Sequence, residues 1–379
     1  MPFSHYIQQG GKLMRCGYTT GTCAALASKA AVRMLLTGAR MEAASILTPK
    51  GLSVEVELRD IRLGDGFVSC CVEKDAGDDV DVTAGALIGA KAEKTGSSGV
   101  QIEGGSGVGR VTKPGLDQPV GAAAINAVPR RMIEQAVREE CRAAGYPGGV
   151  RVTVFVPEGE RLARKTFNPQ LGIVGGISIL GTSGIVEPQS VQALIDTIAV
   201  ELRQRAATGA KAVLLTPGNY GEDFVRSNPA LSAFPQVKCS NYIGEAIDLA
   251  VAEGFRSILL AGHIGKLVKL AGGIMNTHSR VADCRCELFA AHAALAGAPQ
   301  AVIGRLMQAA TTDACLDILD EAALRGPVLR SLLAAVHRQL VKRAGGDLPI
   351  GAVLFSNQHG YLGETPDTAA IVAAFQEGV

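Results

Sequence analysis

Hydrophobic and polar positions along this chain follow two different periods, and the change of period divides it. Apolar residues at 23, 26, 27, 30, 31, 34 and 35, with Lys29 and Arg33 on the opposite face, predict a helix. Thr22 is expected as its N-cap and Gly38 as its stop. Period-two segments follow. Ser45–Pro49 is the first, and Val54, Val56 and Leu58 then alternate with Glu55 and Glu57. Phe67–Val72 comes after the turn Gly64-Asp65-Gly66, and Ala86–Lys94 continues the series. Pro129 is expected to open a second helix at its first position, with the stripe Met132, Ile133, Ala136, Val137 and Cys141 and an end at Gly145. Val150, Val152, Val154 and Val156 alternate as a further strand. The pattern predicts a mixed α+β N-terminal domain over residues 1–160, built from short antiparallel strands and two helices.

From Lys165 to Glu187 the chain is apolar and studded with glycine, and this stretch reads as a seam between domains. Strand and helix then alternate. Helices are expected at 189–207, 242–253 and 281–296, and strands at 212–216, 237–239, 257–261 and 350–355. That order predicts a parallel, doubly wound sheet over 161–379, so the chain as a whole reads as α/β. Ligands of such sheets bind outside the carboxyl ends of the strands. The turns at Gly218, at Gly262-His263 and at Ser356-Asn357 are therefore the place to look for a nucleoside-containing cofactor.

Composition narrows the class. The 379 residues are 47% hydrophobic and 19% charged, with 46 glycines, 4% aromatic residues and no Trp, as in an Ala/Gly/Val-rich α/β enzyme. A net charge of +1 and no interleaving of basic and aromatic residues argue against a nucleic-acid surface. An anionic ligand must then be held by local donors. Met1–Gln9 lacks the pattern of a signal peptide, and no run of eighteen apolar residues suggests a membrane span. Nine scattered cysteines read as reduced thiols of a cytoplasmic protein.

Candidate chemistry starts before the first helix. Arg15 and the hydroxyls of Thr19, Thr20 and Thr22 stand in a glycine-bearing loop that feeds a helix N-terminus, which suits a carboxylate or phosphate. A well-capped core helix gives the same pattern. Asp75, Asp78, Asp79 and Asp81 form an acidic run that departs from the calcium loop at Ala86. It reads as a cation site, a solvated turn, or a set of acceptors that meet the donors of a ligand or fix neighbouring loops. Gly104–Arg110 fails the dinucleotide fingerprint at Arg110. It is either backbone against which a flat ligand lies or a flexible hairpin. His263 at a strand end is a candidate acid, base or donor, and Lys266 a candidate partner for a carboxylate. Leu260 excludes a Walker A loop there. Thr277 and His278 suit a cap or a ligand loop. Asp283 and Glu287, four apart on one helical face, call for a positive neighbour such as Arg280 or a cationic ligand. A zinc site from His278, Cys284, Cys286 and His292 is rejected, because the two cysteines point to different helix faces. Hydrolase and common methyltransferase loops are absent.

Several stretches in order resemble the cobalt-precorrin-5B methyltransferases of anaerobic cobalamin synthesis. They are Arg15–Ala25, Lys74–Asp81, Gly104–Gly115, Lys165–Glu187, Pro217–Gly221, Gly262–Lys266 and Asn276–Glu287. The resemblance implies methyl transfer from S-adenosylmethionine to carbon 1 of a corrin ring, with cobalt arriving only as part of the substrate. It implies a mixed α/β N-terminal domain followed by a Rossmann-like domain. Under that expectation His263 and Asp283 are catalytic. Arg15, Thr19, Thr20, Thr22, Arg110, Lys165 and Lys266 meet the substrate's carboxylate arms, with Lys113 a further candidate. Gly218, Asn219, Gly262, Gly265, Thr277, His278 and Glu287 hold the cofactor. No protein-held metal, nucleic acid or membrane is expected, and a homo-oligomer stays open. A phosphate-binding, kinase-like enzyme and a non-catalytic tetrapyrrole carrier are the alternatives.

Overall fold

The first predicted helix forms over Thr20–Thr37, in a computed structural model that describes residues 3–9 and 11–378. Met1 and Pro2 of the N-terminal segment, and Val379, lie outside the described residues. The apolar stripe is buried as far as Met34, with Cys23, Leu26, Ala27, Ala30 and Ala31 inaccessible to solvent, and half-buried at Leu35. Gly38 ends the helix in a left-handed conformation, as expected. The start differs. Thr19, not Thr22, is the N-cap, and its hydroxyl accepts from the Thr22 N–H. The apolar stripe does not extend back over Thr20 and Gly21, so periodicity places the helix start late.

The chain divides into two compact units, Met1–Val191 and Gln192–Val379. In the first, the helix packs on a six-stranded sheet ordered Ala43–Leu47, Ser53–Gly64, Phe67–Glu73, Leu87–Thr95, Gly149–Phe155, Val100–Gly104. Neighbours are antiparallel except the last pair, which is parallel. Val150, Val152 and Val154 share one core with Leu26 and Ile88, as their alternation predicts. The second helix spans Ala127–Ala143 with Asn126 as N-cap, which puts Pro129 in its first turn, not at its first position. An N–H is dispensable anywhere in that turn.

This unit runs past the expected boundary at 160. Ile173–Val174 pairs with Arg110–Val111, Gly176–Ile177 with Gly107–Val108, and Ile185–Val186 with Gly17–Tyr18. The stretch read as a seam is thus woven into the first unit. The glycine-rich loop is also packed, neither a flexible hairpin nor an open backbone surface. A Cβ on Gly107 would lie 1.9 Å from the Val156 carbonyl oxygen, and one on Gly176 would lie 2.1 Å from that of Gly107. Glycine is required there for chain to meet chain.

The second unit holds a five-stranded sheet ordered Gln236–Lys238, Ala212–Thr216, Ser257–His263, Ile350–Ser356, Gly360–Glu364. The first four strands are parallel and the last is antiparallel. Val213, Leu215, Ile258 and Leu260 face one core, while Ala212, Leu214, Leu259 and Ala261 face another. Both sheet faces are therefore covered, which is why these strands read as continuous apolar runs. Strand order reverses between Ala212–Thr216 and Ser257–His263. The helix expected from Val281 begins at Arg285 and ends at Leu295.

Candidate functional site

The loop before the first helix uses its polar groups internally. The Thr22 hydroxyl donates to the Gly184 carbonyl at 2.7 Å, and the Thr20 hydroxyl accepts from the Leu180 N–H at 2.9 Å. The Gly21 N–H donates to the Leu180 carbonyl at 3.0 Å. Thr19, Thr20 and Thr22 are all buried. The segment 178–184 therefore occupies the place where an anion was expected, and the three threonines are not surface contacts.

Arg15 is held in the same way. Its guanidinium donates to both Asp75 oxygens at 2.5 and 2.8 Å, and its backbone N–H reaches Asp78 at 2.6 Å. Burial pushes the Asp75 carboxyl up, but the Arg15 and Gly77 donors outweigh it and hold it below its ordinary value. Asp79 accepts from the Gln189 N–H at 3.1 Å, and Asp81 binds buried Lys74 at 2.5 Å. Of the three readings of the acidic run, the one realised is a set of acceptors that fix loops.

Three cationic candidates remain accessible in this unit, among them Lys113, which is exposed and donates to the Gln170 carbonyl at 3.3 Å. Arg110 is exposed and donates to the Gly121 carbonyl at 3.1 Å. Lys165 is exposed in a cleft of about 370 Å³, lined also by Val82, Ala84, Glu158, Arg161 and Leu162. The lining is more polar than apolar, and within it Arg161 pairs with Glu158 at 2.9 Å. Arg161 stands apart from every motif singled out in the sequence.

In the second unit the three predicted turns adjoin at the carboxyl edge. Gly218 adopts φ 131° and caps the helix Asn219–Arg226. The Lys266 ammonium donates to the Pro217 carbonyl at 2.5 Å, joining the first two turns. A Cβ on Gly262 would lie 2.8 Å from the Pro217 ring. His263 Nδ1 accepts from the Gly265 N–H at 3.1 Å, so the neutral ring carries its proton on Nε2. Burial lowers the His263 pKa against the pull of Asp313, and burial likewise lowers that of Lys266. The His263 ring stands 6.1 Å from Tyr220 and, edge-on, 5.7 Å from Phe355.

Those aromatic rings belong to a cavity of about 290 Å³ lined by Tyr220, Asp223, Phe224, Phe355, Ser356 and Asn357. Thr216, the last residue of its strand, is fully buried, and its hydroxyl has no hydrogen-bond partner. Asn219 accepts from Lys238, which also pairs with Glu222 at 2.9 Å. Asp223 and Phe224 stand outside every motif singled out in the sequence, and Tyr220 lies in the Pro217–Gly221 stretch without being picked as a site residue. The signal for Asp223 and Phe224 is that they follow a glycine turn at a strand end.

The remaining candidates lie in another loop. Thr277 is buried, its hydroxyl 3.3 Å from the Asn241 side chain and its carbonyl accepting from Lys269 at 3.1 Å. His278 is exposed and caps a turn by accepting from the Arg280 N–H at 3.0 Å. Asp283 precedes its helix, so it does not share a helical face with Glu287. Its positive neighbour is Arg285, through two bonds of 2.7 Å, and not Arg280. Glu287 is exposed in the first helical turn. Among the described residues no hydrogen bond or ion pair joins Asp283 to His263.

The chain matches the family model described as CbiD over residues 7–188 and the one described as CbiD, C-terminal domain, over residues 276–366. A relative from Ruminiclostridium cellulolyticum, named cobalt-precorrin-5B C(1)-methyltransferase, is 51% identical over 93% of this chain and 91% of its own. One from Alkaliphilus metalliredigens with the same name is 44% identical over 99% and 98%. The crystal structure of a cobalamin biosynthesis protein from Archaeoglobus fulgidus is 29% identical over 73% of this chain and 86% of that one, with a TM-score of 0.39. With relatives this similar along nearly its whole length, the chain belongs to the CbiD family.

Proposed function

We infer that this chain is a cobalt-precorrin-5B C(1)-methyltransferase, using S-adenosylmethionine as donor and giving cobalt-precorrin-6A. The observation that carries this is the match, over 93 and 99% of the chain, to relatives bearing that name. The parallel strand order and the two covered faces support reading the second unit as a Rossmann-like, doubly wound sheet. Its carboxyl edge fits a nucleoside-bearing donor: it offers aromatic faces and a carboxylate. When bound, that donor supplies a methyl group already activated on a sulfonium.

The protein's task is then to align the reactants and exclude water. Gly218, Asn219, Gly262 and Gly265 shape the donor edge. His263, with its proton on Nε2, is a hydrogen-bond donor there. Lys165 and Arg110 are accessible cations offered to carboxylates, while Lys266 is tied to the Pro217 carbonyl and Arg161 to Glu158. The Thr19, Thr20, Thr22 and Arg15 groups build the fold that carries these, and Thr277 holds its own loop. Asp283 stays a candidate for a cationic group. Normal donor binding and turnover in Asp283→Ala would remove it.

The test of the function is to incubate the protein without oxygen with cobalt-precorrin-5B and methyl-labelled S-adenosylmethionine. The macrocycle should gain one labelled methyl by mass spectrometry. No gain, beside a control enzyme that succeeds, overturns the reading.

A further inference from the structure

We propose that the cavity between the helix Asn219–Arg226 and the turn after Ile350–Ser356 is the nucleoside subsite of the methyl donor. Tyr220 stacks on the base and Asp223 accepts from the ribose hydroxyls. The proposal rests on the methyl-transfer reading and adds the residues that hold the donor.

Four observations support it. First, the cavity lies at the carboxyl edge of the parallel strands, where ligands of such sheets are held. Second, aromatic residues are scarce, 10 Phe and 6 Tyr in 379, yet Tyr220, Phe224 and Phe355 gather here. Phe224 and Phe355 stack at 4.3 Å with parallel planes and form a finished apolar wall. Tyr220 is 64% exposed beside them, an uncovered aromatic face at the rim. Base–aromatic stacking needs such a face and tolerates open surroundings.

Third, the polar groups are placed on a fixed frame. The buried Ser356 hydroxyl donates to Asp313 and accepts from the N–H groups of Gln358 and His359 at 3.0 and 3.2 Å. That sets the turn that carries Asn357 at the cavity wall. Asp223 has only an exposed partner, Arg226 at 3.3 Å, and such a solvated pair is weak enough to be redirected. Fourth, no Lys or Arg lines the cavity. A triphosphate would find no cation there, whereas an uncharged nucleoside joined to a sulfonium meets a carboxylate and aromatic faces. A volume of about 290 Å³ is at the small end for a ligand pocket and suits part of the donor, the adenosine end.

The probe is S-adenosylhomocysteine, titrated calorimetrically into the full chain. Tyr220→Ala and Asp223→Ala should each weaken binding about tenfold or more. Tyr220→Phe keeps the ring and should stay within about threefold of wild type. Both positions are exposed, so thermal unfolding should be unchanged in all three variants. Wild-type binding with both alanine variants unaffected overturns the subsite and leaves the methyl-transfer reading standing. Tighter binding of ATP than of S-adenosylhomocysteine also overturns it. A wild-type protein that neither binds the probe nor methylates cobalt-precorrin-5B overturns both.

Discussion

Replacing Lys74 by Met tests whether the acidic run is internal scaffolding. The Lys74 side chain is 2% exposed and its ammonium lies 2.5 Å from Asp81. At an effective dielectric of about 20, charges that close attract by about 7 kcal/mol. Taking both ions out of water costs several kcal/mol each, so the intact pair contributes little net stability. Losing the lysine alone is different. Asp81 would remain partly buried, keeping only the Thr83 N–H at 2.7 Å and hydroxyl at 2.6 Å. Breaking a buried pair costs about 3–5 kcal/mol, and the residual bonds place Lys74→Met near the lower figure. Adding Asp81→Asn should recover most of the loss. Acid titration gives an independent sign. Burial pushes the Asp81 carboxyl up, but Lys74 and Thr83 outweigh it and hold it below its ordinary value. The stability from such a depressed carboxyl is complete above its unfolded pKa and lost as pH falls through the folded one. The gap between wild type and Lys74→Met in urea unfolding should therefore be widest near neutral pH and shrink below about pH 4. Equal stability at neutral pH, or a gap indifferent to acid, would refute the scaffold reading.

Three further outcomes are expected. Thr20→Val leaves the Leu180 N–H without its partner, so it should cost about 1–3 kcal/mol while macrocycle affinity is unchanged; lost affinity at full stability would restore the anion-loop reading. Gly107→Ala drives a Cβ into the Val156 carbonyl at a φ of 71°, so soluble expression should collapse, and a normally melting variant would disprove the close approach. Burial pushes the Cys23, Cys70 and Cys239 thiols up to about 12, and Cys71 up to about 11. Mass-mapped alkylation at about pH 8 should spare these four in the native protein and modify half-buried Cys284 first.

The second unit was legible because its strands are long, apolar on both faces and ended by glycine turns. Ala212–Thr216, Ser257–His263 and Ile350–Ser356 each announce themselves. The first unit hid more. Gly107–Val108, Ile173–Val174, Gly176–Ile177 and Ile185–Val186 are two residues each, too short for any period, and their ladders join distant segments. The acidic run was visible, but its partner Arg15 lies 60 positions from Asp75. The candidate nucleoside cavity needs residues near 220 and near 355 to meet, and the pairing of parallel strands brings them together. Local pattern carries no such information.

Glycine and threonine near a strand or helix end do not by themselves mark a ligand site; what decides is whether the fold satisfies the donors it exposes. Every buried N–H and hydroxyl needs a partner, from the chain, from water or from a ligand. Before the first helix, the chain supplies that partner itself through the carbonyls of Ser178, Leu180 and Gly184. A bound anion would have to displace bonds already made. At the edge of the second sheet the balance is reversed. A Cβ added at Gly218 would meet only the Lys266 ammonium, at 3.4 Å, and Tyr220 leaves an aromatic face uncovered beside the Asp223 carboxylate. A ligand there makes interactions that folding left unmade, so its binding energy is not offset by the loss of native bonds. Two loops of similar composition thus differ in kind: the first closes the N-terminal core, and the second leaves groups open to a ligand.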